Sequence, residues 1–379
     1  MKHNFSHDIR IFDTTLRDGE QMPGVVFTPE QKIELALKFS EFGVHIIDVM
    51  PVVSEQERNT VKTLANMGIR SEISATCRSK KEDIETALTC DLKRITIFTP
   101  LSDLHLRYKL KIDREENLRR ALSMTDYARD HGLKVDFAGE DSTRANRDYL
   151  ITFINQLSDR IDTFFIADTL GCLTPSKTYK FVREVKKNCR CSIGLHVHND
   201  FAIATANTLE GLRAGADVFS GTFTGIGERA GNTPIEETCV GLKFLHGIDL
   251  EVKYDKITEI CRLVEKYSRV RLQYHKPLIG KNAFSHESGI HADGVIKHPR
   301  TYENFDPEFI GQKRRFVFGK HTGRGILRYV LGKIREEELV EILGEIKSVS
   351  ESRKVSLSEE NVIEIFENYQ RMNNLRMIK

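Results

Sequence analysis

The sequence lacks the features that mark membrane proteins, secreted proteins and nucleic-acid-binding proteins. No apolar stretch approaches the roughly 18 residues that a membrane-spanning helix requires, and no signal peptide follows Met1. The 57 lysines and arginines nearly balance the 55 aspartates and glutamates, and they are scattered among them rather than gathered in one stripe. We therefore expect a cytoplasmic protein that has neither a membrane nor a nucleic acid as its partner.

Cysteine is also sparse, with seven residues in a chain of 379. Cys189 and Cys191 are separated by one residue, whereas the zinc-binding CxxC knuckle needs two. An odd number of cysteines dispersed through a long chain is typical of a reducing compartment. These cysteines are therefore expected to be ordinary thiols.

An alternation of helix and strand patterns runs through the first 250 residues. Thr28 and Gln31 form the capping box of a helix that Gly43 ends, and the apolar run at 44–50 indicates a buried parallel strand. Eight such strands are predicted, at residues 9–12, 46–50, 72–75, 94–98, 134–137, 163–167, 192–197 and 217–223. Eight βα units in about 250 residues predict a closed (β/α)8 TIM barrel. The rival fold, a doubly wound open sheet, would need a glycine-rich phosphate loop that residues 13–20 do not form.

The alternation ends near residue 250. Residues 251–324 contain one helical pattern at 257–267, followed by an irregular stretch rich in glycine and histidine. Residues 325–379 carry helical patterns rich in glutamate and lysine. We therefore predict three parts: a catalytic TIM barrel at 1–250, a linker or capping subdomain at 251–324 and a small helical C-terminal subdomain at 325–379.

Polar residues cluster where the predicted strands end, which is where barrels of this kind place their reacting groups. His196 and His198 are two residues apart on a strand, so both imidazoles point to the same side. With oxygens from Asp18 and Asn232 they offer the mixed ligands that suit Zn²⁺, Mn²⁺, Co²⁺ or Mg²⁺. The alternative for the His-x-His pair alone is two histidines held in structural hydrogen bonds.

Two further residues at strand ends have several possible roles. Arg17 beside a metal can act as a fixed cation for an oxyanion, or it can form a salt bridge with a neighbouring carboxylate. Glu140 can be a general base, bind a second polar group or pair with Arg144. The residue types alone leave these roles open.

Six short motifs are spread over most of the chain. The first is Leu-Arg-Asp-Gly-Glu-Gln at 16–21, with Lys32 after ten more residues, and the second is His-Val-His-Asn-Asp at 196–200. The others are Ser-Asp-Leu-His-Leu at 102–106, Gly-Glu-Arg-Ala-Gly-Asn at 227–232, His-Glu-Ser-Gly-Ile-His at 286–291 and Gly-Lys-His-Thr-Gly at 319–323. With these motifs the chain resembles the isopropylmalate and homocitrate synthases from residue 9 to about residue 324.

The resemblance implies a Claisen-type condensation of acetyl-CoA with a 2-oxo acid, followed by hydrolysis of the thioester. It implies a divalent metal and assigns a role to each matching residue. The metal would be bound by Asp18, His196, His198 and Asn232. Arg17 would stabilise the oxyanion, Thr169 would contact the carboxylate of the oxo acid, and Glu140 would position the acetyl group. His291 and Tyr302 would assist proton removal, and in a domain-exchanged homodimer the segment 274–324 would cap the partner's barrel.

The sequence departs from the family at two positions. Ala202 stands where the family usually has glycine, and Asp136 stands where the lysine-pathway homocitrate synthases carry arginine for the distal carboxylate of 2-oxoglutarate. Residues 139–145 and 301–307 resemble the nitrogen-fixation type of homocitrate synthase, in which case Arg78 would serve that carboxylate. The resemblance therefore favours 2-oxoglutarate and homocitrate. No regulatory domain of the leucine-pathway type is expected, because the chain ends at residue 379.

Other functions share part of this pattern. A 2-isopropylmalate, citramalate or benzylmalate-type synthase would use the same chemistry on another 2-oxo acid. A lyase acting on 3-hydroxy-3-methylglutaryl-CoA would share the barrel and the His-x-His pair, but Glu20 and the residues 227–229 differ from its pattern. A non-catalytic barrel that binds metal is the alternative from another class. Thiol release from acetyl-CoA with a panel of 2-oxo acids separates these possibilities.

Overall fold

The computed structural model describes residue 5 and residues 8–377. The chain divides after Arg271 into two compact units. Within the described residues no helix is both long and apolar enough to cross a membrane.

The first unit is built on a closed barrel of eight strands in the order β1 to β8. Every neighbouring pair is parallel, and β1 closes the barrel against β8 with Arg10 opposite Val218 and Asp13 opposite Gly221. The strands are β1 Arg10–Asp13, β2 Ile46–Val49, β3 Glu72–Arg78, β4 Arg94–Pro100, β5 Lys134–Glu140, β6 Thr163–Asp168, β7 Ser192–Val197 and β8 Val218–Gly221. The prediction of a (β/α)8 barrel with a helical C-terminal region is confirmed.

Helices cover the outside of the barrel. They are α1 Pro29–Phe42, α2 Glu55–Asn66, α3 Lys81–Thr89, the single turn α4 Asp103–His105, α5 Arg114–Asp130, α6 Arg147–Leu157, α7 Pro175–Asn188, α8 Ala204–Arg213, α9 Ile235–His246 and α10 Ile257–Ser268. The capping box predicted for α1 is present: Thr28 and Gln31 each bond the other's backbone N–H, and Gly43 ends the helix at φ +116°. Aromatic side chains fill the layer between helices and strands, as where Phe39 stacks on Phe223 with ring centroids 4.9 Å apart.

The barrel interior is polar at one end. Arg94 on β4 reaches across to Asp136 on β5, with Nη1 2.9 Å from Oδ2, and it also pairs with Glu72 and with Asp162. Asp136 is fully buried, so its charge requires this partner. The position at which lysine-pathway enzymes carry arginine is therefore occupied here by half of an internal ion pair.

The second unit is mainly helical. Its helices are α11 Gly289–Lys297, α12 Arg324–Leu331, α13 Glu336–Arg353 and α14 Glu359–Met377, and β9 Ser285–His286 pairs in parallel with β10 Arg315–Phe316. Buried apolar residues of α11 to α13, together with Phe318 and Leu357, form one core. Glu303 is 5% exposed and is held by Arg314 and by His286.

Candidate metal centre and active site

A cavity of about 320 Å³ opens among the loops that follow the strands of the barrel. Its walls include seven residues with chemistry-bearing side chains from five different strand ends: Arg17, Asp18, Glu140, Thr169, His196, His198 and Arg229. The predicted clustering of polar groups at this end of the barrel is therefore seen in three dimensions. Apolar side chains such as Phe12 and Phe165, whose ring centroids are 4.8 Å apart, line the rest of the cavity.

Three ligand atoms of the predicted metal site converge. One atom each of Asp18, His196 and His198 lies within 4.8 Å of the other two. His196 Nε2 is 3.8 Å from Asp18 Oδ2, and its other ring nitrogen, Nδ1, is 3.1 Å from Ser220 Oγ on the neighbouring strand β8. Ser220 therefore fixes the ring so that Nε2 is turned towards Asp18, as the outer partner of a metal-bound histidine does.

Asn232 completes this group from the loop after β8. Its amide nitrogen donates to Asp18 Oδ1 over 2.7 Å, and its backbone forms an antiparallel bridge with His198. Both His198 Nδ1 and Asn232 Oδ1 are buried and have no hydrogen-bond partner in the part of the chain that the structure describes. Unsatisfied buried acceptors of this kind are costly unless a cation or water pairs with them. The donor set of one carboxylate, two imidazoles and one amide oxygen fits a divalent metal ion.

The protonation states also suit metal binding. Burial, with the neighbouring His198, lowers the pKa of His196, and burial lowers the pKa of His198. Burial alone would raise the pKa of Asp18, but the charge of Arg17 and the hydrogen bond from Asn232 oppose it, so that pKa is lowered. Neutral imidazoles beside an ionised carboxylate are the forms that ligate a metal.

Arg17 is held by two carboxylates. Its Nε donates to Asp48 Oδ2 over 2.8 Å, and its Nη1 donates to Asp18 Oδ2 over 2.7 Å. Within the described residues its third nitrogen, Nη2, donates no hydrogen bond, while the side chain lines the cavity. Both roles considered for Arg17 are therefore compatible with this geometry, because it is salt-bridged and still keeps one donor for a ligand.

Glu140 has a partner that the sequence did not indicate. Lys109, on the π-helical turn Leu106–Leu110 after β4, places Nζ 2.7 and 2.8 Å from the two carboxylate oxygens of Glu140. His105 Nδ1 lies 3.5 Å from the same carboxylate. Arg144, the partner considered from the sequence, instead pairs with Asp141 at 2.7 and 2.8 Å. The motif at 102–106 ends three residues before Lys109, and it was the feature of the sequence that could have drawn attention to this loop.

Thr169 and Arg229 join the loops after β6, β7 and β8. Arg229 pairs with Asp200 at 2.9 Å and donates to the backbone oxygen of Thr169 over 2.5 Å. The Thr169 hydroxyl accepts from the backbone N–H of Asp141 over 2.9 Å. Both residues line the cavity, so a carboxylate of a ligand there can reach a hydroxyl and a guanidinium.

The other predicted site residues lie elsewhere. Arg78, the last residue of β3, is not among the residues that line the cavity, and its guanidinium forms a two-pronged pair with Asp83 at 2.7 and 2.8 Å. His291 and Tyr302 belong to the second unit, where their rings are in tilted contact with centroids 4.2 Å apart. Both side chains are exposed in the described chain, and Tyr302 is 47% exposed.

Fold and site together define a TIM-barrel protein with a candidate metal site of the Asp/His-x-His type. The family described as HMGL-like matches residues 8–264, and the family described as homocitrate synthase post-HMGL domain-like matches residues 278–354. The chain belongs to the HMGL-like family. The prediction that it is a synthase of the isopropylmalate and homocitrate group, and thus an acetyl-CoA-dependent condensing enzyme, is confirmed.

Several relatives match almost the whole chain. A homocitrate synthase, AksA, from Methanothermobacter thermautotrophicus is 45% identical over 92% of this chain and 91% of its own. A 2-isopropylmalate synthase from Methanocaldococcus jannaschii is 40% identical over 93% of this chain and 70% of its own. The HMG-CoA lyase structure from Bacillus subtilis covers 73% of this chain and 98% of its own with a TM-score of 0.65, but at 19% identity it shows the fold alone.

Proposed function

We propose that this enzyme condenses acetyl-CoA with 2-oxoglutarate and releases homocitrate and CoA. The observation that carries the proposal is the convergence of the Asp18, His196 and His198 ligand atoms with an available Arg17 nitrogen on one cavity. The choice of 2-oxoglutarate is supported by the homocitrate synthase relatives, which match this chain over nearly their full length. The match of residues 278–354 to the homocitrate synthase post-HMGL domain supports it further.

Asp18, His196, His198 and Asn232 would hold the divalent ion, and Zn²⁺, Mn²⁺, Co²⁺ and Mg²⁺ all fit these donors. Such an ion supplies Lewis-acid polarisation of the 2-oxo group when it is bound. The Thr169 hydroxyl would bind the adjacent carboxylate. Arg17 would meet the negative charge that develops on the ketone oxygen, because a guanidinium stays protonated and needs no reorganisation.

The acetyl group must lose a proton from its methyl carbon before it attacks the ketone carbon. We assign this step to His291 with Tyr302, whose rings are in contact and whose side chains are both exposed. Glu140, fixed by Lys109, would orient the thioester. The methyl carbon then bonds to the ketone carbon, the ketone oxygen takes up a proton, and water cleaves the thioester into a carboxylate and the thiol of CoA.

A second candidate substrate is a 2-oxo acid with an uncharged side chain. Phe12, Met50, Phe98 and Phe165 give the cavity a largely apolar lining, and Asp136 is neutralised by Arg94. Relatives named as 2-isopropylmalate and (R)-citramalate synthases are 40% and 39% identical to this chain. In favour of a dicarboxylate, Lys109 and Arg229 add two cationic side chains to the cavity wall.

Thiol release from acetyl-CoA, followed colorimetrically, tests the proposal. We expect 2-oxoglutarate to give the highest kcat/KM in a panel with 2-oxoisovalerate, pyruvate and phenylpyruvate, and we expect mass spectrometry to identify homocitrate. Exhaustive chelation should abolish thiol release, and added divalent ions should restore it. A higher kcat/KM for another oxo acid would reject homocitrate and keep the condensation. Activity that survives chelation would reject the metal-dependent reaction.

We further propose a domain-exchanged homodimer in which His291 and Tyr302 act on the partner's barrel. Subunits with His291→Ala and subunits with Asp18→Ala should each be inactive. After subunit exchange at equal amounts, half of the dimers are mixed and each has one complete site, so about a quarter of wild-type activity should return. No recovery despite demonstrated exchange would show that each chain completes its own site.

A further inference from the structure

Asp48 contacts Arg17, and it is neither a predicted metal ligand nor one of the residues proposed to touch the substrates. It is a residue of β2, its side chain is fully buried, and it is not among the residues that line the cavity. Its Oδ2 accepts from Arg17 Nε over 2.8 Å and from Thr14 Oγ1 over 3.0 Å. Its Oδ1 accepts from Thr76 Oγ1 over 2.7 Å. The carboxylate therefore joins the ends of three strands to one guanidinium.

A buried carboxylate with these partners is costly to maintain. Desolvation of an ion costs several kcal/mol and is offset only by a well-placed opposite charge and further hydrogen bonds. Burial raises the pKa of Asp48, and Arg17 is the cation that opposes this effect. Asp48 is also absent from the group of possible metal ligands in the described chain. Its function must therefore be sought through Arg17.

The contacts of Arg17 show what Asp48 achieves. A guanidinium paired with a single carboxylate tends to form a two-pronged pair, which occupies two of its nitrogens in one plane. Here Asp48 accepts a hydrogen bond from Nε and Asp18 accepts one from Nη1. The two carboxylates therefore fix the plane of the Arg17 guanidinium, and Nη2 remains available. Without Asp48, the guanidinium is free to turn and pair with Asp18 through two nitrogens.

We infer that Asp48 is a positioning residue that holds the Arg17 guanidinium so that one N–H arm remains for the oxyanion of the substrate. Thr14 and Thr76 hold Asp48 in turn. This inference rests on the proposed role of Arg17 in the condensation. It concerns an anchor outside the cavity, and it predicts that Asp48 matters for turnover only while Arg17 is present.

A double-mutant cycle tests the inference. Asp48→Asn keeps the size of the side chain but removes the negative charge that pairs with Arg17, so the guanidinium is held less firmly. We expect kcat to fall about 10- to 100-fold, as for a displacement of about 1 Å in a catalytic group. The KM for acetyl-CoA should stay within threefold of wild type, and the fall in kcat should persist at saturating metal, because a guanidinium that pairs twice with Asp18 also competes with the ion. In an Arg17→Ala background, Asp48→Asn should change the residual kcat less than twofold.

Thermal melting would show whether Asp48→Asn folds poorly. In that case a second variant tests the same inference. Thr76→Val removes the hydrogen bond to Asp48 Oδ1 and keeps the shape of the side chain. It should lower kcat about 3- to 10-fold with Arg17 present and have no further effect in Arg17→Ala. Thr76 also lines the cavity, so only its coupling to Arg17 supports the inference.

The possible outcomes distinguish a failure of the inferred role of Asp48 from a failure of the proposed condensation. Losses for Asp48→Asn or Thr76→Val that are as large in Arg17→Ala as in wild type would overturn the role of Asp48 and leave the proposed condensation intact. A loss of metal affinity in Asp48→Asn that accounts for the loss of turnover would also overturn it. Near-normal thiol release by Arg17→Ala would overturn both the role of Arg17 and that of its anchor.

Discussion

Gly227 offers the sharpest test of the metal centre, because no side chain fits there. A Cβ at this position would overlap the amide nitrogen of Asn232 and would lie 2.7 Å from Asp18 Oδ1. Asn232 is itself hydrogen-bonded to Asp18. The substitution Gly227→Ala therefore pushes on two predicted ligands, one of which also orients the other, without changing any ligand's chemistry.

The required displacement sets the size of the effect. Ordinary van der Waals contact begins near 3.4 Å, so Asp18 must move by about 0.7 Å and Asn232 by more. Loss of an outer partner of a metal ligand typically costs 10- to 100-fold in affinity, or about 1.4 to 2.7 kcal/mol. We expect Gly227→Ala to weaken metal binding by that factor and to lower kcat at limiting metal in proportion.

Metal affinity would be measured by competition with a chromophoric chelator, alongside thiol release at saturating metal. The matched control is Gly247→Ala, which also has a positive φ, +70°, but has no atom within 4 Å of the added Cβ. That control carries a backbone cost of about 1 to 2 kcal/mol and should bind metal as wild type does. Metal binding by Gly227→Ala within threefold of the control would refute the proposed ligand geometry.

Three further outcomes are expected. Arg17→Lys should fold and bind metal normally but lose about 100- to 1000-fold in kcat, because one ammonium cannot satisfy Asp18 and Asp48 and still meet the oxyanion; turnover within tenfold of wild type in the thiol assay would contradict this. Ala202 has a left-handed φ of +57°, so Ala202→Gly should raise the free energy of unfolding in urea by about 0.5 to 1 kcal/mol, after the entropy cost of glycine in the unfolded chain is subtracted; a destabilised variant would argue against strain at this position. Burial raises the pKa of Asp13 from 3.8 to about 8. The native state therefore binds more protons than the unfolded state between these values, and stability falls as pH rises through the window. Asp13→Asn should remove this fall, so the unfolding free energy of the variant relative to wild type should increase from pH 5 to pH 8, and parallel curves would contradict the pKa shift.

The barrel could be predicted from the sequence because its signals are local. Each buried parallel strand is an apolar run, and each helix brings its own start and stop residues, as Thr28 and Gly43 do for α1. The observed ends of the strands differ from the predicted ends. β5 continues to Glu140, three residues beyond the predicted end, because its backbone pairs with β4 as far as Pro100. Pairing between strands, rather than composition, sets such boundaries.

The convergence of the candidate ligands could be predicted for a similar reason. His196 lies on β7 and His198 directly follows this strand, and the period of two of extended backbone places both rings on one side. Contacts between residues on different strands and loops could not be predicted in this way. Lys109 contacts Glu140 from 31 positions away, and Asp48 contacts Arg17 from the same separation. Which loop side chain reaches which neighbour depends on the backbone path of the loop, here a π-helical turn at Leu106–Leu110.

Asp136 shows how a single departure from a family pattern can mislead. Taken alone, it indicates a lost cation for the distal carboxylate of 2-oxoglutarate. Yet the position lies two residues before Ala138, which lines the cavity, and therefore about 6.6 Å deeper along β5. There Asp136 meets Arg94 from β4, so a cation is present at this depth but is neutralised and is not among the residues that line the cavity. The charge that would recognise a dicarboxylate must consequently come from the loops above, where Lys109 and Arg229 line the wall. Because both are already paired, with Glu140 and Asp200, a second carboxylate would share these cations with the two acids. Such sharing weakens the attraction for a charged side chain without changing the reaction, so KM for the oxo acid, rather than kcat, is the parameter that distinguishes the substrates.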